Sequence, residues 1–370
     1  EREREMEEEP EWAGVLDTSL QTRYFSSFAR EMPHHFESLD PNRLMLLYFS
    51  VSGLELLDQL QNVDKAACSR WVHAFLKHNR EYGIAGWKPG PFLGLPFDEM
   101  QCADTLAAFP HLESYDVPHL AMTYTALSIL RILQPEEPLL VPDLQPFRAA
   151  LQQLQQPEGS FVAYPGCSEA DMRFVFCASA TATYLDLWDT VDTDRMLAFV
   201  ENSQNQVDFG LSQRPGLESQ GGSTFCGVSS VAQMGRLPDL PNLDRLVQWC
   251  CSRQCGGYQG RTNKDPDTCY SFWIGSAMHL LGAGPLVDRQ GTADFSGRCQ
   301  SLHLGGYSKF PGGRPDPLHS YMGLAGLSLI GHPDLQPLDP ALNISQRASG
   351  DLFLRRDKLP LLAPPSDLES

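Results

Sequence analysis

Short turns in which glycine precedes an aromatic or aliphatic residue recur along the chain: Gly159-Ser160-Phe161, Gly210-Leu211, Gly256-Gly257-Tyr258 and Gly305-Gly306-Tyr307. The intervals between their last residues are 50, 47 and 49 positions. Self-similarity at this period constrains the chain to a repeat architecture, because each unit can bury its apolar face only against its neighbours. A weaker copy, Gly86-Trp87, lies 74 positions before Phe161 and requires an insertion of about half a repeat.

Ten to fifteen residues after each turn comes an apolar segment with small residues at helical spacing, near Met172, Ser223, Thr268 and Leu318, with an earlier one from His119. Such segments are apolar almost all round, which in a helix means burial on both sides. More amphipathic stretches alternate with them, such as 244–253 and 147–156. Strict alternation of apolar and polar residues is rare, so strands are not expected to dominate. The economical solution is an all-α fold: about six helical hairpins in two concentric layers, closed into an α/α toroid around a central apolar cavity. The turns and the inner-helix starts then share one mouth.

No Gly-, Ser- and Pro-rich linker interrupts the repeats, so one domain over residues 21–350 is expected. An acidic, solvated tail is expected over 1–20 and a loose C-terminal tail over 351–370. The 370 residues carry 46 acidic against 28 basic side chains, a net charge of −18. That excess excludes a general nucleic-acid or anionic-membrane surface, so any anionic ligand must sit in a local basic pocket. No apolar run is long enough for membrane insertion, and the charged first nine residues predict no secretory signal among them. Ten scattered cysteines fit reduced thiols in the cytoplasm better than a disulfide scaffold.

Asp267-Thr268-Cys269 opens one inner helix, and His319 opens the next, one repeat after Cys269. Packed helices lie ~8–10 Å apart, so side chains at matching positions can meet on one ion. Carboxylate, thiolate and imidazole are zinc ligands, and three of them with a fourth position open is the catalytic arrangement. The spacing alone leaves a second reading open: Asp267 as an N-cap, Cys269 as a core thiol and His319 as a satisfied polar residue. Arg261, Lys264, Tyr270 and Lys309 flank the same two helix starts. Three cations and a phenol on one rim of an acidic protein suit a diphosphate. Zinc beside a diphosphate, above a cavity lined by residues such as Phe174 and Trp273, points to a thiolate that displaces diphosphate from a long hydrocarbon.

The segments 267–273 (Asp-Thr-Cys-Tyr-Ser-Phe-Trp), 256–261 (Gly-Gly-Tyr-Gln-Gly-Arg), 171–175 (Asp-Met-Arg-Phe-Val) and 221–227 (Gly-Gly-Ser-Thr-Phe-Cys-Gly) resemble protein prenyltransferase β-subunits. The resemblance runs from about residue 24 to residue 347 and is strongest to the type I geranylgeranyl branch. It implies an α/α toroid that works as an obligate heterodimer with a helical α-subunit. It also implies transfer of geranylgeranyl from its diphosphate to the cysteine of C-a-a-X tails ending in Leu or Phe, as in Rho/Rac-type small GTPases. By the same resemblance Asp267, Cys269 and His319 hold zinc, and the tail cysteine takes the open position as its thiolate. Arg261, Lys264, Tyr270, Lys309 and Gln220 bind the diphosphate. Lys309 stands where farnesyl enzymes carry an aspartate for magnesium, so no magnesium requirement is expected. His119, Ala121, Phe174 and Leu318 match the tail pocket; Arg173 and Trp273 are assigned to the isoprenoid and peptide walls. Three residues depart from the pattern. Gln220 replaces a diphosphate-binding histidine, Met45 replaces a threonine (tryptophan in farnesyl enzymes), and Met322 replaces an aromatic of the tail wall. The rivals are a farnesyltransferase β-subunit, which Lys309 opposes, and a non-catalytic toroid scaffold, which the intact zinc-ligand set opposes. A terpene cyclase would need an Asp-x-Asp-Asp acid that the chain lacks.

Overall fold

The structure, a computed structural model, describes residues 10–353 apart from 13, 31–33, 91–104, 106, 109–115, 137–138 and 140. Helices come in consecutive pairs. These are α1 (Thr18–Arg30) with α2 (Arg43–Leu56), α3 (Lys65–His73) with α4 (Leu120–Leu133), and α5 (Gln145–Leu154) with α6 (Met172–Leu185). They continue as α7 (Thr193–Asn202) with α8 (Gly221–Gln233), α9 (Leu243–Cys251) with α10 (Tyr270–Leu280), and α11 (Arg289–Cys299) with α12 (Pro317–Leu329). The second member of each pair packs on the second member of the next, and α12 packs on α2, so six inner helices close a ring.

Sequence explains the layering. Inner helices are apolar on every side and carry small residues, as in Cys177-Ala178-Ser179-Ala180 of α6, so neighbours on both flanks can approach. Outer helices bury one stripe: Leu246, Trp249 and Cys250 on α9, and Phe147, Ala150, Leu151 and Leu154 on α5. Each inner helix also contributes a ring to an aromatic belt: Tyr48, Tyr124, Phe176 and Phe225 follow one another and Tyr321 stands beside Tyr48, with centroid separations from 5.0 to 6.1 Å. Phe272 of α10 continues the belt at 4.9 Å from Phe225.

The recurring turns have a structural job. Phe161, Leu211, Tyr258 and Tyr307 form antiparallel bridges back to Gln155, Gln204, Gln254 and Gln300 at the ends of outer helices. Two residues beyond each, a carbonyl accepts the first N–H groups of the preceding inner helix. Leu120 donates to Ala163 (2.8 Å), Met172 to Gln213 (3.0 Å), Gly221 to Gly260 (2.8 Å) and Thr268 to Lys309 (3.0 Å). Leu44 donates in the same way to Pro89, two residues beyond Trp87, so the weak copy at Gly86-Trp87 belongs to the series. These bonds satisfy helix N–H groups that lack intrahelical partners. They also hang one loop of each repeat over the helix start of the repeat before it. Gly159 must be glycine: φ is +100° and an added Cβ would lie 1.9 Å from the Arg195 carbonyl oxygen.

The opposite end is closed by residues from a C-terminal hairpin, and the earlier hairpins are small. β1 (Leu76–Asn79) pairs with β2 (Ile84–Trp87), β3 (Phe161–Val162) with β4 (Ala170–Asp171), and β5 (Leu338–Asp339) with β6 (Ile344–Ser345). Between β5 and β6 the chain enters the ring. The hydroxyls of Tyr48 and Tyr321 donate to the Asn343 carbonyl, Tyr124 to that of Leu342 and Ser229 to that of Ala341. Arg347, at α13 (Gln346–Ser349), then forms two 2.7 Å hydrogen bonds to buried Glu55, which also accepts from Ser345. Glu55→Gln is expected to cost about 2 kcal/mol in chemical denaturation. That is below the value for a fully buried pair, because the Arg347 side chain is 45% exposed.

Residues 10–20 differ from the tail expected there. Val15 is only 3% exposed and its carbonyl accepts from the Tyr307 hydroxyl. Asp17 donates its N–H to Gln300, and α1 starts at Thr18. This segment ties the first repeat to the last, which apolar Val15 and Trp12 make favourable despite the flanking charge. Residues 1–9, and 354–370 of the expected C-terminal tail, lie outside the described residues; 350–353 form a short 3-10 turn. No helix among the described residues is long and apolar enough to cross a membrane.

Candidate active site

The inner helices start together at the open mouth. Asp171 caps α6 through the Arg173 N–H, Gln220 caps α8 through Ser223, and Asp316 caps α12 through His319. The loop stitched over α10 brings Asp267 to the same level, where its Oδ1 accepts from the Cys269 N–H at 3.0 Å.

Asp267, Cys269 and His319 meet there. Each offers one ligand atom, and the three lie within 4.8 Å of one another. The His319 ring is held at both nitrogens: Nδ1 is 2.6 Å from Asp316 and Nε2 is 3.2 Å from Asp267. A carboxylate behind the ring is the usual support of a metal-binding imidazole. Asp316, missed in the sequence, is signalled there by the Asp-x-x-His spacing across a helix start, where a capping carboxylate reaches the side chain three residues on. Without an ion, burial lowers the His319 pKa, but the hydrogen bonds to Asp267 and Asp316 prevail and it is pushed up to about 9. Burial raises the Asp267 carboxyl, yet bonds from His319 and Cys269 outweigh it and hold it below the usual range. Burial and the adjacent carboxylate push the Cys269 thiol well up. A hard and a soft anionic donor with a borderline imidazole, packed this closely, fit a borderline divalent cation, and that cation would relieve the cost of burying them.

Beside the cluster a cavity of about 650 Å³ is lined by Arg173, Gln220, Cys226, Arg261, Tyr270 and Trp273, among others. Arg261 pairs with Glu218 at 3.2 Å. Burial, with Cys269 and Asp267 adding to it, raises the Tyr270 phenol to about 12, so it stays protonated at neutral pH. The Lys309 ammonium is 3.6 Å from Asp267, placed by the bond from Thr268 to its own carbonyl. Lys264 is exposed on the turn beyond Arg261 and is not among the residues lining this cavity.

The pocket assignments divide. His119 caps α4 and its ring lies 6.0 Å from that of Phe174, with the Arg173 guanidinium over the Phe174 ring at 5.6 Å. Arg173 also pairs with Asp171 (2.6 Å) and Glu169. Ala121, Leu318 and Met45 are partly buried against the core, and none of the three lines the cavity described. Met322 is 2% exposed, its sulfur accepting from Asn343 of the closing loop. The loop that enters the ring covers it, which a sequence cannot show.

A closed ring of six helical hairpins with a three-ligand cluster at its mouth defines an α/α-toroid enzyme scaffold. The prenyltransferase alpha-alpha toroid domain family matches residues 16–344. Geranylgeranyl transferase type-1 subunit beta of Arabidopsis thaliana is 37% identical over 342 residues, 87% of either chain. Its Dictyostelium discoideum counterpart is 33% identical over 342 residues, 89% of this chain and 95% of that one. The chain belongs to the prenyltransferase α/α-toroid family and, within it, with the type-1 geranylgeranyl transferase β-subunits. A solved structure of Candida albicans protein geranylgeranyltransferase-I complexed with GGPP superposes with a TM-score of 0.78 at 24% identity. It covers 92% of this chain and 99% of that one, and carries the same fold.

Proposed function

We propose that this chain is the catalytic β-subunit of a protein geranylgeranyltransferase type I, working with a helical α-subunit. It would carry geranylgeranyl from its diphosphate to the cysteine of C-a-a-X tails, such as those of Rho/Rac-type small GTPases. The observation that carries this reading is the convergence of Asp267, Cys269 and His319 with Arg261, Tyr270 and Lys309 at one mouth of the toroid. Its type-1 relatives support it.

Asp267, Cys269 and His319 would hold zinc, and Asp316 keeps the His319 ring turned toward it. Zinc, when bound, supplies a Lewis-acidic position that keeps a visiting cysteine ionised at neutral pH. Arg261 and Lys264 bind diphosphate oxygens, and Arg261 gives up Glu218 to do so. The sulfur–carbon bond forms at the first isoprenoid carbon as the carbon–oxygen bond breaks, and the electron pair leaves on the diphosphate. Lys309 and Tyr270 meet that charge, so no magnesium requirement is expected. His119, Ala121, Phe174 and Leu318 receive the end of the tail. Free thiols at the nine described cysteines support a cytoplasmic setting, and the acidic surface supports protein rather than nucleic-acid partners.

The test is co-expression with a prenyltransferase α-subunit, zinc analysis, and transfer of labelled 15- and 20-carbon diphosphates to tails ending in Leu, Ser or Met. Zinc-dependent 20-carbon transfer to Leu-ending tails is the expected result. Exclusive 15-carbon transfer would make it a farnesyl enzyme, and inactivity with no zinc would make it a scaffold. Gly260→Ala offers a second check. An added Cβ would lie 2.0 Å from Cζ of Tyr270, whose ring is also closely packed against Gly221. The ring must leave its place, and the transfer rate is expected to fall ~10-fold or more with zinc content unchanged.

A further inference from the structure

Gln220 is a residue at which the site departs from the pattern of the family it resembles, and its hydrogen bonds are specific. Its side-chain oxygen accepts from the Ser223 N–H at 2.8 Å, and its nitrogen donates to the Tyr270 hydroxyl oxygen at 2.8 Å. The amide cannot be turned round, because a backbone N–H can be met only by an acceptor. The Tyr270 oxygen is therefore the acceptor of the second bond, and its own proton has to point elsewhere. The phenol has little freedom to swing. Its ring packs closely against Gly260 and Gly221, where an added Cβ would lie 2.0 Å and 2.8 Å from the ring respectively. Gln220, Tyr270 and Arg261 all face one cavity.

We propose that Gln220 is a positioning residue that aims the Tyr270 hydroxyl proton into the cavity, at the diphosphate oxygen that takes the electron pair of the breaking carbon–oxygen bond. The inference rests on the transferase reading above. Tyr270 keeps its proton throughout and donates a hydrogen bond that strengthens as charge builds on the leaving oxygen. Gln220 acts through Tyr270: its amide occupies the hydroxyl oxygen as donor and leaves the phenol proton directed elsewhere. Its peptide-like amide holds that role without a change of charge, unlike an imidazole.

The experiment uses the zinc-loaded heterodimer and single-turnover transfer of a labelled 20-carbon donor, with donor affinity measured separately. Gln220→Ser keeps an oxygen able to cap α8 but is too short to reach Tyr270, so a folded variant is expected. Gln220→Ser and Tyr270→Phe should each slow transfer ~10-fold while donor affinity changes less than ~3-fold, and the double variant should be no slower than the slower single one. Gln220→His should restore most of the rate, since one ring nitrogen can cap the helix, as His119 does for Ala121, while the other donates to Tyr270. A Gln220→Ser rate within twofold of the unsubstituted enzyme overturns the inference, as do additive effects in the double variant. Should the unsubstituted heterodimer transfer no 20-carbon group, the transferase reading itself falls, which is a different outcome.

Discussion

Replacing His319 with Ala is expected to leave a heterodimer that purifies with no zinc and transfers prenyl groups ~10³-fold more slowly, the scale on which one strong electrostatic element is lost. The expectation follows from how few donors the site has. Among the described residues three side chains supply the ligand atoms of the cluster, and a catalytic zinc site with two protein ligands does not hold its ion well. The same substitution also removes the imidazole that Asp267 and Asp316 both use as a partner. Cys269→Ser should behave alike, because a buried hydroxyl is a poor zinc ligand beside a thiolate. Metal analysis reads the first part and labelled transfer the second. One zinc per heterodimer retained in His319→Ala, with activity near normal, would remove the cluster from the mechanism.

The second large effect belongs to Lys309. Lys309→Ala is expected to lower the single-turnover rate ~10²-fold while the affinity for the C-a-a-X tail stays within ~3-fold, the signature of an interaction made chiefly in the transition state. The reason is placement. Its backbone carbonyl is fastened to the Thr268 N–H and hydroxyl, so the ammonium hovers over the Asp267 end of the site, 3.6 Å from that carboxylate. At 57% side-chain exposure it contributes little to folding, and its charge remains available to a leaving group. Lys309→Asp should trade that fixed charge for a magnesium requirement, seen as a rate that rises on adding the ion and falls with chelator. Equal kcat for Lys309→Ala and the unsubstituted enzyme would assign leaving-group stabilisation to Arg261 and Tyr270 instead.

Much of this was legible in the one-dimensional pattern. The Gly-aromatic turns announced the repeat, and the bridges from Phe161, Leu211, Tyr258 and Tyr307 to the outer helices show why they recur. The ring closure of α12 on α2 follows from inner helices apolar on both flanks. The candidate ligand cluster was visible as a register: Cys269 and His319 open successive inner helices. Asp316 was overlooked although the same local rule that makes it an N-cap brings its carboxylate to His319. The cover that Asn343 places on Met322 and the packing of residues 14–20 are not signalled by the sequence. Both depend on segments far apart in the chain, the closing loop at 339–345 and the last outer helix, whose arrival no local period encodes.

From sequence alone came the period, the two kinds of helix and the residue types at each helix start, because these express local geometry and burial repeated unit by unit. Only the tertiary structure decided which atoms point where. It turned the Gln220 amide by a cap on one side and a phenol on the other. It hung Lys309 over Asp267 through a backbone bond between repeats. And it shut the far end of the ring with a loop gripped by three tyrosines. Apart from the local cap at Ser223, those contacts join residues from 22 to 295 positions apart, and directional bonds over such spans are set by how the whole ring closes.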